Sequence, residues 1–267
     1  MSGSTSGRVW AIALNTFREA ARIRVLYGIA VVVLGANLLA IVLAEMSIRD
    51  QARVARDIGL AGISLFGSLT AIFLGVFLLY TEVQRRTIHA IVSKPIERWE
   101  FVIGKYAGMA LVLTVLVGLF ALAMIAQLVF QDVPITAAVV KAIVLAWFEV
   151  LIVAALAIFF SSFSSPFLSG LFALALFVIG RLTPDVQAAA DRAESAWIRT
   201  VARGALEIVP DLHLFSISGR TVDGTHVSVH GDFVSWEYVA AATGHGLLWI
   251  AGLLALAAVI FWRRDFV

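Results

Sequence analysis

Uncharged apolar stretches long enough to cross a bilayer constrain this chain more than any other feature. Crossing roughly 30 Å of hydrocarbon takes about 20 mostly apolar residues in a helix that rises 1.5 Å per residue. Six segments qualify: 25–44, 58–80, 106–130, 142–163, 166–183 and 239–262. Of 267 residues, 61% are hydrophobic and 14% charged, against about 25% charged in a typical soluble domain. An ordinary water-soluble enzyme is excluded. The spacing predicts an all-α, polytopic six-helix transmembrane bundle forming a single domain over 1–267. The longest remaining piece, the segment 185–238, is too short to build an independent core. The chain has no cysteine, so neither disulfides nor thiolate metal sites enter.

An even number of spans places both termini on one side, and the positive-inside rule says which. The termini side carries Arg8, Arg18, Arg22, Arg24, Arg85, Arg86, Lys94, Arg98, Lys105, Arg263 and Arg264 against Glu19, Glu82, Glu97, Glu100 and Asp265. The opposite side has more acidic than basic residues, so a formal net charge of only +2 conceals a strong asymmetry. Both termini are expected in the cytoplasm. The first apolar run is too long for the core of a secretory signal and is expected to remain as a span.

Before that span, Trp10, Leu14, Phe17 and Ala21 fall on one helical face while Arg8, Asn15, Arg18, Glu19 and Arg22 gather elsewhere. This pattern predicts an interfacial helix on the cytoplasmic leaflet, either a plain surface anchor or one whose polar face also meets a partner. Between spans two and three, the segment 81–105 mixes charge with Ile88, Ile91, Val92, Ile96, Trp99, Phe101 and Val102. Pro95 disfavours helix at Lys94, which predicts a short helix over 81–92 and a second running from Ile96 into span three. The outer connectors 45–57 and 131–141 are expected to be short, and Pro166 after four serines suits the first turn of a helix following a tight inner turn. In the segment 185–238, Ala190, Ala193, Trp197, Val201, Ala205 and Ile208 keep helical spacing, which predicts one amphipathic helix on the outer leaflet ended by Pro210. Asp223-Gly224 followed by alternating residues predicts a small hairpin over 221–234.

Catalytic signatures are absent: no H-E-x-x-H, no G-x-S-x-G, and no phosphate-binding loop, since Trp99 stands where such a loop ending at Lys105 needs its first glycine. His226 and His230 on an extended strand sit about 13 Å apart, too far to share an ion. No metal site, cofactor or nucleic-acid partner is expected. Glu149 is the one carboxylate in the middle of a span, where an isolated charge costs at least a few kcal/mol, which makes it a functional candidate by default. Arg181, near the outer end of the antiparallel span five, can reach it. The two form an intramembrane polar pair that is either a structural ion pair or part of a substrate path. Gly104 and Gly108 form a small-xxx-small pattern that reads as close helix packing.

The blocks VWAIALNTFREAARIRVLYG, ISLFGSLTAIFLGVFLLYTEVQRRTIHAIVSKPIERWEFVIGKYAG and VPDLHLF resemble the ABC-2 type transporter permeases, nearest the branch associated with multi-copper enzyme maturation and gliding motility. The resemblance implies six spans, a connecting helix before span one (about 8–23), a coupling helix between spans two and three (about 81–92), and re-entrant helices before span six. It also implies pairing into a homodimer or heterodimer and two separate cytoplasmic ATPase subunits in the bacterial inner membrane. Carried onto this chain, Glu82, Arg85, Arg86, Thr87 and Ile88 would meet the ATPase. The function so implied is an ATP-driven permease subunit, an exporter or translocator of lipids or amphiphiles, not itself an enzyme. The alternative is a membrane scaffold that recruits a cytoplasmic partner without transport.

Overall fold

A computed structural model of the protein describes residues 5–46, 51–84, 97–193, 195–222, 225–228 and 233–263. Nine helices lie among them: α1 (Thr5–Ala21), α2 (Arg24–Met46), α3 (Gln51–Gln84), α4 (Arg98–Phe130), α5 (Ala137–Ser161), α6 (Pro166–Arg181), α7 (Thr183–Arg192), α8 (Ala196–Ile208) and α9 (Trp236–Arg263). A 3-10 turn (Leu212–Phe215) and an antiparallel hairpin of β1 (Ile217–Val222) and β2 (Thr225–Ser228) lie between α8 and α9. The architecture is an all-α polytopic bundle with this one small sheet among its described residues.

Four stretches are each long and apolar enough to span a membrane: Val54–Leu78, Trp99–Phe130, Ala137–Ser161 and Trp236–Trp262. Two bent pairs raise the total to as many as six. The break between α1 and α2 turns the chain by 65°, and that between α6 and α7 by 71°. In lipid a helix is the natural solution because it satisfies every backbone donor and acceptor internally. Several polar side chains within the helices donate back to their own helix. Thr70 donates to the Phe66 carbonyl at 2.6 Å, Thr114 to Ala110 at 2.7 Å and Asn37 to Val33 at 2.9 Å.

The centre of the bundle is α5, in which every residue from Val150 to Ile158 is buried. It runs parallel to α3 and packs so closely that a Cβ on Gly67 would lie 2.6 Å from Val150, and one on Gly75 2.5 Å from Ala157. Small residues let helix backbones approach, and in lipid, where burying apolar surface gives little drive, such close contact is a main source of association. The helices α3, α4 and α9 pack around this axis, with α2 outside them against α3 and α4.

Several boundaries differ from those expected. The connector 45–57 is mostly helix, because α2 runs to Met46 and α3 begins at Gln51. The single amphipathic helix expected near 190–208 is two helices, α7 and α8, interrupted after Arg192. At Ala193 and Ser195 the backbone is extended, with ψ at 128° and 121°, so spacing alone reads through a break in the backbone. The hairpin begins at Ile217, earlier than Thr221, and pairs Thr221 with His226 and Val222 with Thr225.

Candidate functional site

Glu149 projects from α5 toward α3 and is fully buried, with 1% of its side chain exposed. Arg181 reaches it from the last turn of α6, placing Nη1 2.7 Å from Glu149 Oε1. Ser64 on α3 donates its hydroxyl hydrogen to Glu149 Oε2 at 2.6 Å. Its oxygen accepts a second, short contact from Arg181 Nη1. Nη2 of Arg181 donates to Ser216 Oγ at 3.2 Å. Three spanning helices and the loop before β1 thus meet at one charged cluster.

The loop is held there by its own chemistry. Asp211 accepts from the His213 backbone N–H at 3.1 Å and caps the 3-10 turn, as aspartate does at helix starts. His213 Nδ1 donates to the Arg181 carbonyl at 3.2 Å. Gly180 makes the approach possible, since a Cβ there would sit 2.6 Å from the Pro210 carbonyl oxygen. The cluster borders a cavity of about 200 Å³ lined by Asp57, Leu60, Ser64, Glu149, Arg181 and Phe215. A buried carboxylate costs several kcal/mol unless it is paired and hydrogen-bonded. Here both oxygens are engaged, so the arrangement holds a charge deep in the bundle and places it beside a chamber of mixed polar and apolar lining. Ser64 and Ser216 went unread in the sequence, although Ser64 and Ser68 one turn apart inside an uncharged span are a visible polar stripe.

A second cluster lies at the end of the bundle that carries the termini. Arg8 of α1 grips Glu100 of α4 in a fork, Nε to Oε2 at 2.9 Å and Nη2 to Oε1 at 2.6 Å. Such paired contacts fix direction as well as distance. Glu100 Oε2 also accepts from the Glu97 backbone N–H at 3.2 Å at the start of α4. Five residues further along α4, Lys105 stands 3.5 Å from Glu19. Between the two ion pairs the helices nearly touch. A Cβ on Gly104 would come 2.7 Å from Ile12 Cβ, and one on Gly108 2.4 Å from the Ala13 carbonyl oxygen. The α1 face that packs on α4 is therefore Ala13, Thr16 and Ala20, all buried. Trp10, on the apolar face expected to enter the membrane, stays 55% exposed.

The remaining expected site residues fall elsewhere. Glu82 lies in the last turn of α3. Arg85, Arg86, Thr87 and Ile88, and most of the helix expected over 81–92, lie outside the described residues. His245 on α9 accepts from Trp249 Nε1 at 3.0 Å, and His226 lies in β2. Among the described residues no three His, Asp or Glu side chains come together as a metal set.

Fold and site together define a polytopic helical membrane protein with a buried ion pair and a clamped N-terminal helix. A family profile described as ABC-2 family transporter protein matches residues 10–266, and the chain belongs to that family. It is a transmembrane permease subunit of an ABC transporter, and a subunit of this kind is not itself the catalytic one. No curated protein matches the chain.

Proposed function

We propose that this permease moves a lipid or other amphiphile outward across the bacterial cytoplasmic membrane, as a homodimer or heterodimer driven by two separate cytoplasmic ATPase subunits. Both termini face the cytoplasm, in keeping with the basic residues gathered at that end of the bundle. The segment 81–92 serves as the coupling helix, with Glu82, Arg85, Arg86, Thr87 and Ile88 against the ATPase. Kinship to the multi-copper-enzyme-maturation and gliding-motility branch rests on the N-terminal and central sequence blocks.

The observation that carries this reading is the clamp between α1 and α4. The long helix α3 ends at Gln84, four residues into the segment 81–92, and α4 begins at Arg98 with its first turns bonded to α1 through Arg8 and Glu100. A push on the segment therefore reaches α3, α4 and α1 as a displacement of packed helices, which shift between discrete arrangements and do not deform smoothly. The energy comes from ATP binding one arrangement of the complex more tightly than the other. A hydrophobic wall with few charges along the spans suits a cargo with an apolar part.

The test is co-purification. A partner with a phosphate-binding loop should travel with the permease in stoichiometric amount, and Glu82→Ala with Arg85→Ala should reduce its recruitment or its stimulated ATP hydrolysis. Unchanged assembly and unchanged stimulation in the double variant would remove the coupling assignment. A partner without such a loop would favour the scaffold.

A further inference from the structure

At the end of the bundle remote from the termini, a second cavity of about 350 Å³ opens where α6 bends into α7. Phe177, Val178 and Leu182 form its apolar wall, and Arg181, Asp185, Ser216 and His213, whose Nδ1 is spent on the Arg181 carbonyl, its polar one. Val178 and Leu182 are each 45% exposed, so the wall continues onto the exposed side of α6. The polar groups stand where the helix turns by 71° at the end of its apolar run.

The charges select the ligand. A guanidinium has five N–H donors. Arg181 spends three of them on Glu149, Ser64 and Ser216, leaving two for an anionic oxygen. Its positive charge is already balanced by Glu149. Asp185, exposed on the first turn of α7, bonds to no side chain among the described residues. The cluster of Arg181, Glu149 and Asp185 therefore carries a net negative charge. A purely anionic headgroup is repelled, whereas a zwitterion can place its phosphate on Arg181 and its ammonium on Asp185 while its acyl chain runs along Val178. We propose that this cavity is a binding site for a zwitterionic, primary-amine phospholipid of the surrounding bilayer. The proposal requires only that the bundle sit in a membrane, so it stands whether or not such a lipid is the cargo.

The test is lipid selection by the purified full chain in mixed micelles holding equimolar phosphatidylethanolamine and phosphatidylglycerol, read by native mass spectrometry. The protein should retain phosphatidylethanolamine in excess by about two- to fivefold, the range an exposed charge pair supports. Asp185→Asn should abolish the excess and Asp185→Lys reverse it, while Asp191→Asn on the same helix leaves it unchanged. Equal retention of the two lipids by the unsubstituted protein would overturn the site, as would Asp185→Asn and Asp191→Asn behaving alike. Soluble phosphoethanolamine, which lacks the acyl chain, should not displace the lipid. Displacement at equal concentration would overturn the bilayer as the source.

Discussion

At the scale of single residues, the two members of the intramembrane pair are not equivalent. Glu149 has 1% of its side chain exposed and Arg181 has 32%. Removing Arg181 strands a carboxylate deep in the bundle, the situation in which a broken buried pair costs about 3–5 kcal/mol. Removing Glu149 strands a guanidinium that still reaches solvent or headgroups and keeps its contact with Ser216. Arg181→Ala should therefore lower thermal stability in detergent clearly more than Glu149→Ala does. Equal losses would mean that the burial asymmetry has no energetic weight. Ser64 bridges both partners, and Ser64→Ala should cost less than either charge removal, on the order of 1–3 kcal/mol for leaving a buried charged group short of a hydrogen bond.

The glycines of α4 divide in the same way. Gly108 faces the α1 backbone, where an added Cβ meets a carbonyl oxygen at 2.4 Å, whereas Gly118 has nothing within 4 Å of where its Cβ would be. A carbonyl in a packed helix cannot step aside, so Gly108→Ala must lift α1, and Gly118→Ala should be neutral or mildly stabilising through helix propensity. The chain has no native cysteine, which makes the readout direct. A thiol introduced as Thr16→Cys, at a position with 0% exposure, should resist a maleimide. It should become reactive when Gly108→Ala is added and stay protected when Gly118→Ala is added instead.

Among the elements, the hairpin is held at both ends, with Ile217 in the core and Val227 bridged to Phe233, beside Val234. Lys141, near the start of α5, donates to the Val234 carbonyl at 2.9 Å and lies 5.1 Å from the centre of the Trp236 ring. Tyr238 adds a bond to the Leu214 carbonyl at 2.8 Å. A hydrogen bond from a charged donor is worth about 1.5–3 kcal/mol, and an isolated two-stranded hairpin is marginal by itself. Lys141→Ala should therefore speed proteolysis within residues 217–228 while leaving the melting of the bundle nearly unchanged. A fall in bundle melting as large as that of Arg181→Ala would show that the hairpin is integral to the core.

The elements also show where periodicity reads well and where it does not. Long apolar runs with few or no charges announce α3, α4, α5 and α9, because a helix in lipid needs little beyond length and apolar side chains. The division of α7 from α8 was illegible. Both halves keep amphipathic spacing, and the interruption is a matter of extended backbone at Ala193 and Ser195. The face of α1 that meets α4 was equally hidden. Hydrophobicity singled out Trp10 and Phe17, but the contact is made by alanine and threonine opposite glycine, where size matters more than polarity.

For the whole molecule, chain direction puts the turn at Ser164 at the same end as α1 and puts Ser235 at the opposite end, just before α9. With the basic end in the cytoplasm, a membrane-impermeant maleimide added to intact spheroplasts should label Ser235→Cys and spare Ser164→Cys until the membrane is opened. The reverse pattern would invert the proposed orientation and, with it, the direction of transport.

From its sequence alone this chain is a polytopic helical membrane protein with one intramembrane carboxylate and a basic end, because span length and charge sorting depend only on local composition. Resemblance to ABC-2 permeases could be read from motifs for the same reason. Which helices touch depended on tertiary structure: α3 parallel to α5 through Gly67 and Gly75, α1 pinned to α4 by Arg8, and Ser64 and Ser216 joined to Glu149 and Arg181. Those contacts link residues 85, 92 and 117 positions apart. At such separations neither periodicity nor hydropathy carries information, and the fit of small side chains between backbones decides.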